Sequence, residues 1–334
     1  MSRSKEKGGG PAGVAGARKQ LVFVIAFIAI VVVAFFIFDL ITDGKFLDFN
    51  NNMMNMRIIL ASIIYPTFIA WGMCFIFACG YSDMSWGSVV VLASFGTGVF
   101  GNAYGLLPAI VTGVLVGTLL IFLNFCIIAF TKIPSWIASI SLAMVYEAIG
   151  LFLRVGSATG NLVEEPLKVN LRVLGHLPWS FIILLAGFVA VYFVYERTTI
   201  GFNIRAIGGN AVVARSLGVN ITKTLLRVGL ICGLLVGVAS FLQQSYNGYT
   251  TVKSGLASIQ LILQPLAIAL LADILRKKIN IIIAVPVCAF LMFAAFNILT
   301  LLHLPSGTLQ EALLALFLIA FAIIGQRGVK GVVK

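Results

Sequence analysis

The sequence has 334 residues, of which 60% are hydrophobic and only 10% are charged, and its formal net charge is +12. Its mean hydropathy is +1.09. A soluble domain needs far more charge to cover its surface, so this composition excludes an ordinary soluble protein and favours a bilayer as the solvent. The basic residues lie in short tracts between apolar runs, which indicates membrane topology rather than nucleic-acid binding.

The residues that usually mark an enzyme or a metal site are missing from the sequence. It has two histidines, far apart, and five cysteines that all fall inside apolar runs without a CxxC pair. This pattern predicts neither a metal site nor a disulfide framework. The sequence also lacks a P-loop, a Ser-His-Asp set and an H-E-x-x-H motif. We therefore expect the chain not to be an enzyme and to bind no cofactor or ATP itself.

The chain begins with a Gly- and Lys/Arg-rich stretch, residues 1–19, which predicts a flexible basic tail. Gln20 to Ile41 follows as a first membrane anchor, too long for the core of a signal peptide. The sequence then predicts nine further apolar runs: 57–79, 86–101, 106–131, 133–153, 178–196, 224–243, 257–273, 279–301 and 310–325. The predicted fold is all-α, a polytopic bundle of about ten spans over residues 20–326, with a short basic tail at 327–334. The run 86–101 is short enough to be a half-helix instead of a full span.

Loop charge predicts that both termini are cytoplasmic. With the N-terminus inside and ten crossings, the inside segments hold 16 basic residues and the outside segments hold 6. Cytoplasmic loops carry the excess of Lys and Arg, and the opposite orientation would invert the ratio. The inside set is Arg3, Lys5, Lys7, Arg18, Lys19, Lys132, Arg197, Arg205, Arg215, Lys223, Arg276, Lys277, Lys278, Arg327, Lys330 and Lys334, and the outside set is Lys45, Arg57, Arg154, Lys168, Arg172 and Lys253.

The segment G-Y-S-D-M-S-W-G-S, Gly80 to Ser88, joins two of these runs. Asp83 or Ser85 can cap a helix that begins near Trp86. The segment is then either a capped helix start at the membrane surface or a broken-helix element beside a transport path. Trp71 and Trp136 are placed either to pack in the bundle or to stack on a solute.

Glu147 lies well inside a predicted span, and an intramembrane acid is a functional hypothesis by default. It either pairs with a donor on a neighbouring helix or serves ion coupling. The outside loop 154–177 carries mixed-sign charges that are candidates for docking an extracytoplasmic partner: Glu164, Glu165, Lys168 and Arg172.

The inside loop, Arg197 to Lys223, contains a predicted short helix from Ala211 to Leu217. Asn210 is a good N-cap, and Gly218 is a good residue just past the C-terminus because it accepts a left-handed backbone. A helix this short is marginal alone in water and needs something to pack on. It either lies on lipid or docks on a cytosolic partner.

The same loop resembles the cytoplasmic loop of the ribose-type permeases of bacterial ABC importers. The matching residues are the G-G-N of Gly208, Gly209 and Asn210, then Ala214 and Arg215, and then the G-V-N of Gly218, Val219 and Asn220. Asp83, Ser85, Gly87 and Ser88 also match the family's G-x-D-L-S-x-G-S signature. The resemblance implies that the short helix couples the permease to ATP-binding subunits, and it implies partners: cytosolic ATPases, an extracytoplasmic solute-binding protein and a second permease copy or paralogue.

The resemblance further implies a bacterial cytoplasmic membrane location and a transport path with Asp83, Ser85, Trp86, Trp71, Trp136 and Glu147 as candidate lining residues. The chain departs from the family at Leu270 to Asn280, where a basic cluster replaces glycine turns. The expected solute is a monosaccharide, with nucleosides and other small polar solutes as alternatives. The rival class is a stand-alone ion-coupled carrier that depends on Glu147.

Overall fold

The computed structural model describes residues 49–131, 133–155, 166–276, 279–301 and 308–327. Every regular element in these ranges is helical, as the composition predicts. The α-helices are α1 Phe49–Ser62, α2 Ile64–Ala78, α3 Trp86–Tyr104, α4 Leu106–Thr131, α5 Ser135–Val155, α6 Trp179–Arg197, α7 Thr199–Gly209, α8 Ala211–Ser216, α9 Ile221–Asn247, α10 Gln260–Leu275, α11 Ile281–Leu301 and α12 Thr308–Arg327. Short 3₁₀ turns occupy Val169–Leu171, Val173–Gly175 and Ala257–Ile259.

Within the described ranges, six helical segments are long and apolar enough to cross a membrane. They are Met54–Ala78, Leu106–Thr131, Ser135–Leu153, Trp179–Arg197, Ile221–Asn247 and Ala257–Leu275, and two shorter apolar helices cover Ile281–Asn297 and Ala312–Ile323. This confirms a polytopic helical bundle. The predicted anchor at 20–41 and the two tails, 1–19 and 328–334, lie outside the described residues.

Helix α3 is longer than its predicted run of 86–101, since it continues to Tyr104. Its 19 residues span about 28 Å at 1.5 Å per residue. Most of its first half is buried, because small and polar residues such as Ser94 and Thr97 pack against neighbouring helices. The helix is therefore three residues longer than its predicted run, and it is not among the segments that are apolar enough to be identified as membrane spans. Whether α3 crosses the membrane fully or partly stays open.

The bundle has two ends, which contacts between loops define. At one end Gly208, just before α8, packs on the carbonyl of Ala78, and the Ser82 N–H donates to Ser135 Oγ at 3.2 Å. At the other end the Lys168 N–H donates to Asn102 Oδ1 at 3.1 Å. We call these the α8 end and the opposite end. Helices α3 and α5 start at the α8 end, whereas α4, α6 and α10 finish there.

A stripe of small residues joins α4 and α9. Gly113 and Gly117 on α4, and Gly229, Gly233 and Gly237 on α9, lie in the contact between these two helices, with each helix keeping a four-residue spacing. A Cβ built on Gly117 would lie 2.5 Å from Gly237 Cα. Small residues let two membrane helices approach until their backbones touch, which replaces the hydrophobic drive that lipid removes. The packing of α9 against α2, α3 and α4 therefore sets the core of the bundle.

The predicted inside loop, 197–223, is mostly helical. It holds α7, which the sequence analysis did not predict, as well as the predicted short helix α8. Ile204 and Ile207 of α7 are buried, and Gly201 packs on the Tyr195 backbone. Helix α7 therefore fixes the position from which α8 projects.

Candidate functional site

Helix α8 is capped at both ends as its sequence predicts. Asn210 Oδ1 accepts from the N–H groups of Val212 at 3.0 Å and Val213 at 3.2 Å. At the other end the Val219 N–H donates to the Ala214 carbonyl and the Gly218 N–H to the Arg215 carbonyl, both at 3.0 Å. This pair of bonds is a Schellman motif, and Gly218 has the positive φ, +85°, that it requires. The helix ends at Ser216, one residue earlier than predicted.

The capped helix presents an apolar surface that nothing in the described chain covers. Val212 is 80% exposed and Leu217 is 75% exposed, while only Ala214 is buried. Arg215 is exposed beside them. The other predicted coupling residues surround this helix: Gly208 lies against the chain at Ala78, Gly209 is open to space, and Asn220 Oδ1 caps α9 by accepting from the Lys223 N–H at 3.0 Å. The predicted coupling residues therefore lie together on and around α8.

Asp83 belongs to a buried polar cluster that links three helices. Its Oδ1 accepts from the Ser85 N–H at 2.8 Å and from the Ser85 hydroxyl at 2.6 Å. Its Oδ2 accepts from Asn124 Nδ2 at 3.2 Å, and Asn124 Oδ1 accepts from the Tyr146 hydroxyl at 2.6 Å. Asn124 Nδ2 also contacts Ser85 Oγ.

Neither of the two predicted residues bonds to an N–H group inside α3. Ser85 is the N-cap residue but its side chain makes no cap bond, and Asp83 accepts from the Ser85 N–H just before the helix. Asn124 and Tyr146 come from α4 and α5, far away in sequence, and no local signal marked them. Because each polar group in the cluster has a partner, the cluster is a stable joint between α3, α4 and α5.

The three candidate tryptophans lie in different surroundings. Trp71 is fully buried, and its Nε1 donates to the Ile282 carbonyl at 3.0 Å while its ring contacts Phe68 edge-on. Trp86 is fully buried beneath Gly72. Trp136 is 56% exposed at the start of α5. Trp71 and Trp86 therefore pack in the bundle. For Trp71 this is one of the two predicted roles, the other being stacking on a solute.

Glu147 is 6% exposed and holds the start of another helical segment. Its Oε2 accepts from the Leu256 N–H at 2.8 Å, and its Oε1 accepts from the Ser258 N–H at 2.9 Å. These N–H groups lie at the turn that leads into α10, where a negative charge is favourable. Glu147 is therefore paired with hydrogen-bond donors, which is one of its two predicted roles. The donors are backbone N–H groups of a turn and not groups on a neighbouring helix.

Two of the predicted docking residues make contacts within the chain. Arg172 donates to the Ser245 carbonyl at 3.3 Å and to the Tyr246 carbonyl at 2.6 Å, so it covers the C-terminal end of α9. Lys168 Nζ donates to the Asn102 carbonyl at 2.9 Å. Glu164 and Glu165 lie outside the described residues.

Comparison with known proteins gives the family. The family described as "branched-chain amino acid transport system / permease component" matches residues 55–322. This chain belongs to that family of permease components. Its family is one of transport components rather than enzymes, and the resemblance drawn from the α8 loop is confirmed.

The permease chain is similar to several sugar permeases. It is 23% identical to the fructose import permease protein of Rhizobium meliloti over 64% of this chain and 61% of the relative. It is 26% identical to the L-arabinose transport system permease protein of Escherichia coli over 58% and 59%, and 24% identical to the ribose import permease protein of that organism over 58% and 61%. The matched part thus spans about three fifths of these relatives. No solved structure matches the chain with significance.

The permease contains one further polar cluster that the sequence analysis missed. Glu196, at the end of α6, pairs with Arg205 of α7 at 3.2 Å and accepts from Asn280 Nδ2 at 2.9 Å. Asn280 also caps α11, since its Oδ1 accepts from the Ile282 N–H. The divergent segment 270–280 is therefore tied to the helix that carries α8. An Asn directly before an apolar run is an N-cap signal that could have marked Asn280.

Proposed function

We propose that this chain is the membrane-spanning permease subunit of an ATP-driven importer that moves a small polar solute, a monosaccharide, into the cytoplasm. The names of its relatives, which specify import or transport of fructose, L-arabinose and ribose, support the solute class. A similar permease of an autoinducer 2 import system leaves other small polar solutes as the alternative.

The observation that carries this proposal is the exposed apolar surface of α8. A capped helix with Val212 and Leu217 facing outward, fixed to the bundle through Ala214 and α7, is suited to fit a groove on a partner. By this proposal, separate cytosolic ATPase subunits bind and use ATP, and an extracytoplasmic binding protein delivers the solute. A second permease copy or paralogue completes the path, and this chain binds no cofactor.

The same proposal fixes the orientation. The α8 end is cytoplasmic, the chain crosses a bacterial cytoplasmic membrane ten times, and residues 1–19 and 327–334 are basic cytoplasmic tails. The 16-to-6 distribution of basic residues supports it.

The orientation is tested by cysteine labelling on a cysteine-free background. Val169→Cys, at the opposite end, should react with an impermeant thiol reagent added to intact cells, because Val169 is 81% exposed there. Ser216→Cys, on α8, should react only after the membrane is permeabilised. The reverse pattern would overturn the orientation.

The coupling role is tested by changing α8 without touching the bundle. Arg215→Glu reverses a charge suited to a carboxylate of the ATPase, and Gly218→Val places a β-branched residue at a positive φ that it resists. We expect both variants to reach the membrane folded but to lose most ATP-driven uptake, with Arg215→Glu also reducing co-purification with the ATPase.

Arg197→Glu is the control, because it makes the same charge change on an exposed residue at the α8 end but outside α8. It should keep uptake near the level of the unsubstituted protein. Normal co-purification and normal uptake in both α8 variants would contradict the coupling role and favour the ion-coupled carrier. That rival has little support from Glu147, because both oxygens of its carboxylate are bound to backbone N–H groups.

A further inference from the structure

Between α9 and α10 the chain turns back into the bundle without forming a helix. Helix α9 ends at Asn247, Gly248 takes a positive φ of +86°, and regular structure resumes only at Ala257. We call residues 248–256 the descending segment. Its last residue, Leu256, donates its N–H to Glu147.

The contact with Glu147 gives the depth of this segment. Glu147 lies 12 residues after the start of α5 at Ser135 and 8 residues before its end at Val155. These separations correspond to about 18 Å and about 12 Å along the helix. Since the hydrocarbon core is about 30 Å thick, the backbone at Leu256 lies near its middle.

Polar side chains are exposed along the descending segment, between the outer end of the bundle and this depth. Thr251, Ser254 and Gln260, which follows the segment, are exposed, and Lys253 is partly exposed. Non-helical backbone is tolerated at membrane depth only where it is buried in protein or lines a water-filled cavity. This face therefore cannot contact lipid.

A cavity opens on the same face. It has a volume of about 420 Å³, within the range of about 300–1,000 Å³ that is usual for small-molecule sites. Most of its lining residues carry a polar group, and they come from the end of α9, the descending segment and the start of α10: Gln243, Asn247, Tyr249, Thr250, Thr251, Lys253 and Leu261.

The two neighbouring glutamines of α9 differ in what they bind. Gln244 is used inside the protein, because its Oε1 accepts from the Thr250 hydroxyl at 2.6 Å and its Nε2 donates to the Gly248 carbonyl. Gln243 lines the cavity and is 4% exposed, yet its Oε1 has no hydrogen-bond partner within the described part of the chain. A buried polar atom of this kind usually has a partner, so it indicates a ligand or solvent site.

The charge of the lining selects the ligand class. Lys253 is the one charged side chain among the lining residues, and its Nζ makes only a 3.5 Å contact with Gln260 Oε1. The remaining polar groups are amides and hydroxyls, which both donate and accept hydrogen bonds. A neutral solute rich in hydroxyl groups fits this lining, whereas a cation would meet an unfavourable charge.

We propose that this cavity is a solute-binding site in the outer half of the permease path, and that it takes a neutral polyhydroxylated molecule of monosaccharide size. Gln243 Oε1 accepts from a solute hydroxyl, and the Lys253 ammonium donates to a solute oxygen. The site assignment rests on the proposed function for the identity of the solute and for the side of the membrane that the cavity faces.

The opening is tested first, without any solute. On a cysteine-free background, Ser254→Cys should react with a charged, impermeant thiosulfonate from outside at least 10-fold faster than Leu115→Cys. Leu115 is the matched control, because it is 50% exposed on α4 and lies about 14 Å from the outer end of that helix, a depth similar to Glu147. Equal, slow labelling of both variants would overturn the proposal.

The binding role is tested by equilibrium binding of D-ribose, D-fructose and L-arabinose to the permease–ATPase complex in the absence of the binding protein. Gln243→Leu and Lys253→Met should raise the Kd for the transported sugar about 10-fold, with the thermal midpoint of the complex unchanged. Asn170→Leu is the control, an exposed amide at the same end outside the cavity, and should change neither value. An unchanged Kd in both cavity variants would overturn the site. If the unsubstituted transporter moves none of the three sugars, that result counts against the proposed function. It does not change the interpretation of the labelling experiment.

Discussion

Replacing Glu147 by leucine should leave little folded, active protein. Glu147 accepts from two backbone N–H groups, those of Leu256 and Ser258, near the middle of the membrane. Leaving a buried donor unsatisfied costs about 1–3 kcal/mol, and leucine offers neither of the two N–H groups an acceptor. We expect a marked fall in the thermal midpoint of the detergent-solubilised protein and a loss of sugar uptake.

Glu147→Gln separates this structural role from ion coupling. Glutamine keeps one side-chain oxygen, so it can still accept one of the two N–H groups, and it removes the charge. We expect the glutamine variant to be intermediate in thermal midpoint and to keep a substantial part of its ATP-driven uptake. A carrier that couples transport to a proton through Glu147 requires the opposite: a normally folded glutamine variant with no uptake. Thermal unfolding and uptake measured on the same preparations decide between the two roles.

The ends of α8 could be predicted from sequence because capping is local chemistry. Asn210 bonds to residues two and three positions ahead, and Gly218 supplies a backbone angle that other residues resist. The positions of the long apolar helices were predictable for a related reason, since hydrophobicity over about 20 residues depends on no distant contact.

The sequence does contain a signal for α7 in the spacing of its isoleucines. Ile200, Ile204 and Ile207 recur at the spacing of one helix face, and two of them are buried. The flanking threonines and glycines favoured a loop instead. Packing of Gly201 and Gly208 against the ends of α6 and α2 overrides that weak local preference.

The polar contacts that position the site could not be predicted, because their partners are distant in sequence. Glu147 and Ser258 are 111 residues apart, and Asp83 and Asn124 are 41 apart. Hydropathy identifies a charged residue within an apolar run but does not say which backbone or side chain will satisfy it. The descending segment was missed for the same reason: a short polar stretch between two apolar runs is typical of an ordinary outside loop.

A single added side chain at the α4–α9 contact should have a large effect on the bundle itself. A Cβ on Gly233 would lie 2.8 Å from Thr118 Cα, and one on Gly237 would lie 2.6 Å from the Val114 carbonyl oxygen. Both clashes are with backbone atoms, so no side-chain rotation can relieve them. Overpacking a tight interior costs about 1–3 kcal/mol even where side chains can move, and the cost here should be greater.

Gly233→Leu should therefore separate α9 from α4 and abolish the folded protein, and Gly233→Ala should lower the thermal midpoint by several degrees. Leu234→Ala is the control, since Leu234 is the next residue of α9 but is 43% exposed on its outer surface. Its removal should change the midpoint little. The measurement is the yield of monodisperse protein and its thermal unfolding in detergent. A Gly233→Leu variant as stable as Leu234→Ala would mean that α4 and α9 do not approach at this stripe.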